Sequence, residues 1–223
     1  MSPSSLALAN PATLPANTAD EAFSPRQEAV LAVALSLLVE GGEKALTTAG
    51  LARAAGCSKE SLYKWFGDRN GLLEAVVTFQ ASKVRAIDER ATPATAEAFK
   101  DALVAFAEDL LTVLLSETSL ALNRLSIGAV RRDEAGLGDV LLQQGKKRIE
   151  ARATHLLAHG KHQRFISFDQ ATDAYTSLYG LIIGDLHIRA LLGDQPGLND
   201  AARQAQATRA VDHFLLLHTH ERF

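Results

Sequence analysis

The 223-residue chain has few of the residues that cross-link or interrupt a fold: one cysteine, Cys57, and six prolines. A lone cysteine excludes an intramolecular disulfide framework and a cysteine-rich zinc site, and makes the cytoplasm the expected compartment. Strand signals are nearly missing, with no period-two alternation, no Asn-Gly hairpin and few β-branched clusters. The most apolar stretch, LYGLIIGDLHIRALL at 178–192, is too short to cross a bilayer. It carries Asp185, His187 and Arg189, so it belongs in a core or an interface, and no membrane partner is expected. Residues 1–20 contain no Lys or Arg. Their Ser, Pro, Ala, Asn and Thr content predicts a mobile tail over 1–23 in place of a secretory leader.

Catalytic signatures are missing as well. There is no G-x-S-x-G elbow and no phosphate-binding glycine loop, and GLGDV at 136–140 follows no strand and lacks the third glycine. In HLLAHGKH, His155, His159 and His162 are spaced to share a helix face, as a metal sensor would need. Leu156 stands where a zinc-peptidase motif has glutamate, however, and Gly160 is expected to end the helix. The expectation is a protein that is not an enzyme, with no cofactor and no resident metal. Cys57 is expected to pack as a small apolar residue without a redox role.

What the chain does contain is helix. With 47% hydrophobic residues and a formal net charge of -3 it is globular, and apolar positions recur at helical spacing. The run SPRQEAVLAVALSLLVEGG opens with Ser24 as cap, Pro25 at the first helical position and Gln27 at the capping-box position, and stops at Gly41-Gly42. Two very short helices follow around TTAGLARAAGCSKESLYKWF. A longer helix then opens at Asp68, and Pro93 closes it. Beyond it, Phe99, Leu103, Phe106, Leu110 and Leu114 mark a fifth helix, and Ser116 is placed to cap the next, ETSLALNRLSIGAVRR, whose end Arg131 and Arg132 would complement. Further helices are expected over 137–159, 169–192 and, after the GDQPG turn, about 199–219. The fold class is all-α, with about nine helices. A small N-terminal unit at 24–84 is expected to join a larger helical bundle at 85–223 through the long fourth helix.

The stretch GCSKESLYKWF at 56–66 carries the chemistry. At 100° per residue, Leu62, Trp65 and Phe66 share one face, Glu60 and Lys64 oppose them, and Ser61 and Tyr63 take the flanks. Ser58 can cap this helix, leaving Lys59, Glu60 and Ser61 at the amide end that favours phosphate. Before it, Thr47 can cap Thr48 to Ala55, and Gly56 supplies a tight turn. Two short helices so joined, apolar behind and polar in front, make a helix-turn-helix over 47–66. From Lys44 to Arg69 there are five basic residues and two acidic ones, a local +3 in an acidic chain. Glu60 and Lys64 are also spaced as a solvated i,i+4 pair, which an ordinary surface helix would equally show.

The order LTTAGLARAAGCSKESLYKWFGDRNGLLEAVV resembles the N-terminal domain of TetR/AcrR-family transcriptional regulators over about residues 24–84. Gly50 and Cys57 depart from that pattern, since relatives usually carry a polar residue and a branched apolar one there. The resemblance implies that Thr47, Thr48, Ser58, Lys59, Glu60, Ser61, Tyr63 and Lys64 form a DNA-binding surface, with Glu60 and Ser61 nearest the bases. LLTVLLSETSLALNRLSIGAVRR and LLQQGKKRIEARATHLLAHG are similar to the AefR-like C-terminal domain of the same family. This implies an inducer cavity among the middle helices and a homodimer formed through the last two helices. Gly180 and Gly184, four apart, would let a partner helix approach. Polar residues flanked by apolar helical neighbours, namely Asn123, Arg124, Tyr175, Tyr179 and His187, are the candidate ligand contacts. The expected partners are a double-stranded DNA operator and a small-molecule inducer that releases a repressor. The competing reading is an all-helical ligand-binding or interaction protein that does not touch DNA.

Overall fold

A computed structural model of the chain describes residues 23–85, 92–130, 136–194 and 197–219. The expected tail, the Arg131–Arg132 helix end and the centre of the GDQPG turn lie wholly or mostly outside them. Among the described residues all regular structure is helical: α1 (Pro25–Ala45), α2 (Thr48–Ala54), α3 (Lys59–Phe66), α4 (Arg69–Ser82), α5 (Ala96–Leu114), α6 (Glu117–Val130), α7 (Gly136–Val140), a π-helical segment (Leu141–Lys146), α8 (Lys147–His162), α9 (Ala171–Ile183), α10 (Leu186–Leu191) and α11 (Asp200–His218).

Side-chain caps set most of the helix starts. Ser24 and Gln27 bond reciprocally at the start of α1, the Gln27 side chain accepting from the Ser24 amide at 2.9 Å. Thr47, Ser58, Asp68, Thr95 and Asn199 each accept a backbone N–H three residues on, and Ser116 does the same for Ser119 at 3.2 Å.

Several expected boundaries move. Helix α1 is broken at Gly42, where φ is 67° and ψ is -169°, yet helical residues continue to Ala45. Helix α4 ends at Ser82 and does not run on towards Pro93. Arg152 of α8 donates to the Ala81 and Val84 carbonyls at 2.7 and 2.8 Å, which caps α4 early. Gly160 does not stop α8, which continues to His162. A Cβ at Gly160 would lie 2.3 Å from the Phe99 ring of α5, so the glycine is there for close approach between helices. The expected helix over 169–192 is two helices, because Gly184 adopts φ 48° and turns the chain between α9 and α10. These breaks, with the separate α7 and π segment, raise the number of elements above the nine expected.

Two buried apolar clusters organise the chain. The first gathers Val30, Leu31, Ala34 and Leu38 of α1, Leu51 of α2, Leu62 and Phe66 of α3, and Leu72, Leu73, Val76 and Val77 of α4. It also takes Leu122 of α6 and Leu137 of α7. The second gathers Phe99, Leu103, Phe106 and Leu110 of α5 with Ile149, Leu156 and Leu157 of α8, Leu178 and Ile182 of α9, and Val211 and Phe214 of α11. In it α11 lies against α5 and α9, and α8 against α9.

Replacing Gly160 with alanine is expected to cost ~1–3 kcal/mol, because the added methyl overpacks against Phe99. Urea denaturation measures the loss, and a Phe99→Leu change in the same chain should recover part of it.

Candidate functional site

The helix-turn-helix is assembled from local bonds. Thr47 Oγ1 accepts from the Gly50 amide at 3.0 Å, and a Cβ at residue 50 would sit 2.9 Å from that same oxygen, which accounts for the glycine. Gly56 makes the turn at φ 58°. Arg26, reaching from α1, donates to the Ala55 and Gly56 carbonyls at 3.1 and 2.7 Å and so pins the turn. Cys57 is half-buried against the first cluster, in the packing role expected of it.

Leu62 and Phe66 are buried and Trp65 packs beside them, its ring meeting Phe66 edge-on at 6.1 Å. On the other side Lys59, Glu60, Tyr63 and Lys64 are exposed, Tyr63 by 57%. Ser58 accepts from the Ser61 amide at 3.1 Å, and the two hydroxyls are also 3.1 Å apart. The Glu60 carboxyl is held below its usual range by its own backbone amide, then by the Ser58 hydroxyl and the charge of Lys59. Lys59 thus supplies the neighbouring charge where the i,i+4 spacing pointed to Lys64. A cleft of about 320 Å³ beside this helix is lined by Lys44, Thr47, Thr48, Tyr63, Gly67 and Arg69, among others. Lys44 and Arg69 were counted in the sequence only as local charge; the fold brings them to the same face.

A second cavity, of about 160 Å³, opens between the two clusters. Its wall is mostly apolar: Val77 and Ala81 of α4, Leu110, Val113 and Leu114 of α5, Leu122 of α6, Leu141 and Leu142 of the π segment, and Ile149 of α8. The polar lining is Gln80, Ser119, Asn123, Lys146, Tyr175, Tyr179 and His187. Gln80 is engaged with Ser116 and Lys83, and the Asn123 amide donates to the Ser119 carbonyl at 2.8 Å. The Tyr175 hydroxyl and His187 Nε2 are buried without a hydrogen-bond partner. Burial pushes the Tyr175 hydroxyl up, with smaller contributions from Tyr179 and Glu150, and pushes the Tyr179 hydroxyl up as well. It pulls the His187 imidazole down, so both orphaned groups are neutral near pH 7.

Residues 30–76 match the family model for bacterial regulatory proteins of the tetR family, and residues 101–218 match that for the C-terminal domain of AefR-like transcriptional repressors. The chain belongs to the TetR family. It is 55% identical to a TetR transcriptional regulator from Agrobacterium tumefaciens, with a TM-score of 0.75 over 89% of this chain and 97% of that one. A TetR-family regulator from Pseudomonas syringae aligns over 90% of this chain and 100% of its own at 15% identity and a TM-score of 0.62. The flavonoid-responsive regulator FrrA aligns over 88% and 98% at 21% identity and 0.64. These last two show the fold alone. No curated protein matches the chain.

A TetR-family transcriptional regulator is therefore the setting for both sites, in a family of generally non-enzymatic DNA-binding proteins. Four of the five residues proposed from sequence as ligand contacts, Asn123, Tyr175, Tyr179 and His187, line one cavity. Arg124 does not. Its guanidinium donates to the Ala190 and Leu191 carbonyls at 2.5 and 3.0 Å, drawn by the negative end of α10. The three histidines do not gather either: His159 Nε2 bonds the Pro93 carbonyl at 2.8 Å, while His155 and His162 are exposed. Among the described residues no helix is long and apolar enough to cross a membrane.

Removing an orphaned hydroxyl leaves no partner stranded, so Tyr175→Phe should keep or slightly raise the melting temperature of the ligand-free protein. His187 gives a signed pH effect. Its pKa is lower folded than unfolded, so the unfolded chain takes the proton first. The stability tied to its neutral ring is full above the unfolded value of about 6.5 and is lost as pH falls towards the folded one. Unfolding curves between pH 7.5 and 5 should accordingly slope less for His187→Leu than for the parent.

Proposed function

We propose that the protein is a ligand-responsive repressor that binds a near-palindromic DNA operator as a homodimer and leaves it when a small molecule fills the cavity. Residues 24–84 act as the DNA-binding unit and 85–223 as the ligand-binding and dimerisation unit, working in the cytoplasm. The observation that carries this reading is the shared wall: Val77 and Leu122 line the cavity and also belong to the cluster that holds α3. A ligand contacting them acts on the support of the recognition helix. It can shift the protein only through different affinities for two arrangements, one in which the paired recognition helices match the operator spacing and one in which they do not.

On DNA, Thr47, Thr48, Ser58, Lys59, Tyr63 and Lys64 would position the module on phosphates, while Glu60 and Ser61 lie nearest the base edges. The cleft adds Lys44 and Arg69 to the phosphate-facing set. Pairing through α9 and α11 is supported by Leu216 and Leu217 of α11, which are 77% and 69% exposed. Gly180 of α9 is exposed, with open space where a Cβ would lie, which leaves room for a close neighbour at that helix.

Selection of bound sequences from random DNA should return a palindrome, and association with it should fall steeply as salt rises. Against that sequence, Lys64→Ala and Tyr63→Ala should each cost ~1–3 kcal/mol of binding, Lys64→Ala also flattening the salt dependence. Both side chains are exposed, so melting temperatures should hold. Undiminished binding by both variants, or no DNA retention even at low salt, would remove the proposed surface.

A further inference from the structure

The outer end of α3 is built from hydrogen-bond acceptors. Ser58 Oγ accepts from the Ser61 amide at 3.1 Å and lies 3.1 Å from the Ser61 hydroxyl. The Glu60 carboxyl accepts from its own backbone amide and from the Ser58 hydroxyl. A serine has one hydroxyl proton, and Ser58 gives its proton to Glu60. The Ser61 hydroxyl therefore supplies the proton between the two serines, and Glu60 and Ser61 have only lone pairs left to offer outward.

This arrangement disfavours phosphate at the helix end. The Glu60 and Ser61 amides are among those an open helix start would turn to an anion, but both are occupied, and the occupant of one is itself an anion. The exposed ammonium groups of Lys59 and Lys64 remain for the phosphates. What the acceptors need is a donor. A helix-turn-helix sets the N-terminal residues of its second helix against base edges in the major groove. There only cytosine N4 and adenine N6 donate, while guanine N7 and O6, adenine N7 and thymine O4 all accept. Adenine N6 stands beside N7, so a carboxylate bonded to it sets its second oxygen against a lone pair. Cytosine has no such acceptor on its own edge.

We infer that Glu60 is a specificity-determining residue, which selects a cytosine in each operator half-site by accepting from its N4 amino group. This rests on α3 entering the major groove, as the DNA binding proposed above requires. Ser61 reinforces the choice, since its outward lone pairs are likewise met by a base donor and not by guanine or thymine.

Selection of bound duplexes from random DNA, run on the full chain beside Glu60→Ala and Glu60→Gln, tests it. The parent should return a palindrome with one fixed cytosine in each half-site. Glu60→Ala should return the same palindrome with that position relaxed. Its preference for cytosine over thymine there, read by fluorescence anisotropy on paired duplexes, should fall from about tenfold to near one. Glu60→Gln, whose amide both donates and accepts, should move the preference to adenine. Glu60 is exposed, so both variants should melt close to the parent. Unchanged preferences in both variants, or a base other than cytosine at the position that Glu60→Ala relaxes, would overturn the assignment while leaving DNA binding in place. A parent that selects no sequence would overturn both.

Discussion

Helix α4 is the constraint on which the rest depends, because it is buried by two different cores. Leu72, Leu73, Val76 and Val77 face the cluster that supports α3, and Ala81 faces the cluster built on α5, α8, α9 and α11. The two attachments differ in kind. The first is apolar burial worth about 1.5–3 kcal/mol for each large side chain. The second relies more on polar contacts, Arg152 on the Ala81 and Val84 carbonyls and the Arg85–Asp109 pair at 2.7 Å. That pair is mostly open to water on the arginine side, where such contacts are worth about 0–1 kcal/mol. Under the proposed ligand response, a perturbation at the cavity would move α4 together with the helix-turn-helix more readily than peel α4 away from it, a rigid-body reorientation of α3.

The energetics of the cavity wall bear on the same proposal. An unpartnered buried polar group costs about 1–3 kcal/mol, and Tyr175 and His187 each present one. Turning a two-state equilibrium from 1:99 to 99:1 takes about 5.5 kcal/mol of differential affinity. On the proposed ligand response, that difference must come from contacts made in one arrangement and lost in the other.

The legible parts of this chain are those fixed by near neighbours. Thr47, Ser58, Asp68 and Asn199 cap helices by bonds to residues three along, so the helix starts could be read directly from the sequence. The division of α3 into a buried Leu62 and Phe66 and an exposed Tyr63 and Lys64 follows from 100° per residue alone. Helix ends were less legible because they depend on distant contacts. Gly160 and Gly184 look alike in sequence, yet one admits the Phe99 ring within a helix and the other breaks a helix through positive φ. The cavity lies between these cases. A polar residue on an apolar helical face describes Asn123, Tyr175, Tyr179 and His187, which line it, and equally Arg124, which lines a different cleft and whose partners are carbonyls 66 and 67 residues away.

The same long-range logic explains why the cavity sits where it does. Three stretches pass from one cluster to the other: α4 between Val77 and Ala81, α5 to α6 between Leu110 and Leu122, and the run from Leu137 of α7 to Ile149 of α8. In the last of these the backbone widens into the π-helical segment Leu141–Lys146. A π turn takes an extra residue per hydrogen bond and so rotates the faces on either side of it. Leu137, before this segment, belongs to the first cluster, and Ile149, after it, belongs to the second. Where the faces change over, neither cluster can be packed to completion, and Val77, Leu122, Leu141 and Ile149 surround the space left between them. The cavity is thus the seam between two cores sharing three helical stretches, and whatever fills it must act on both.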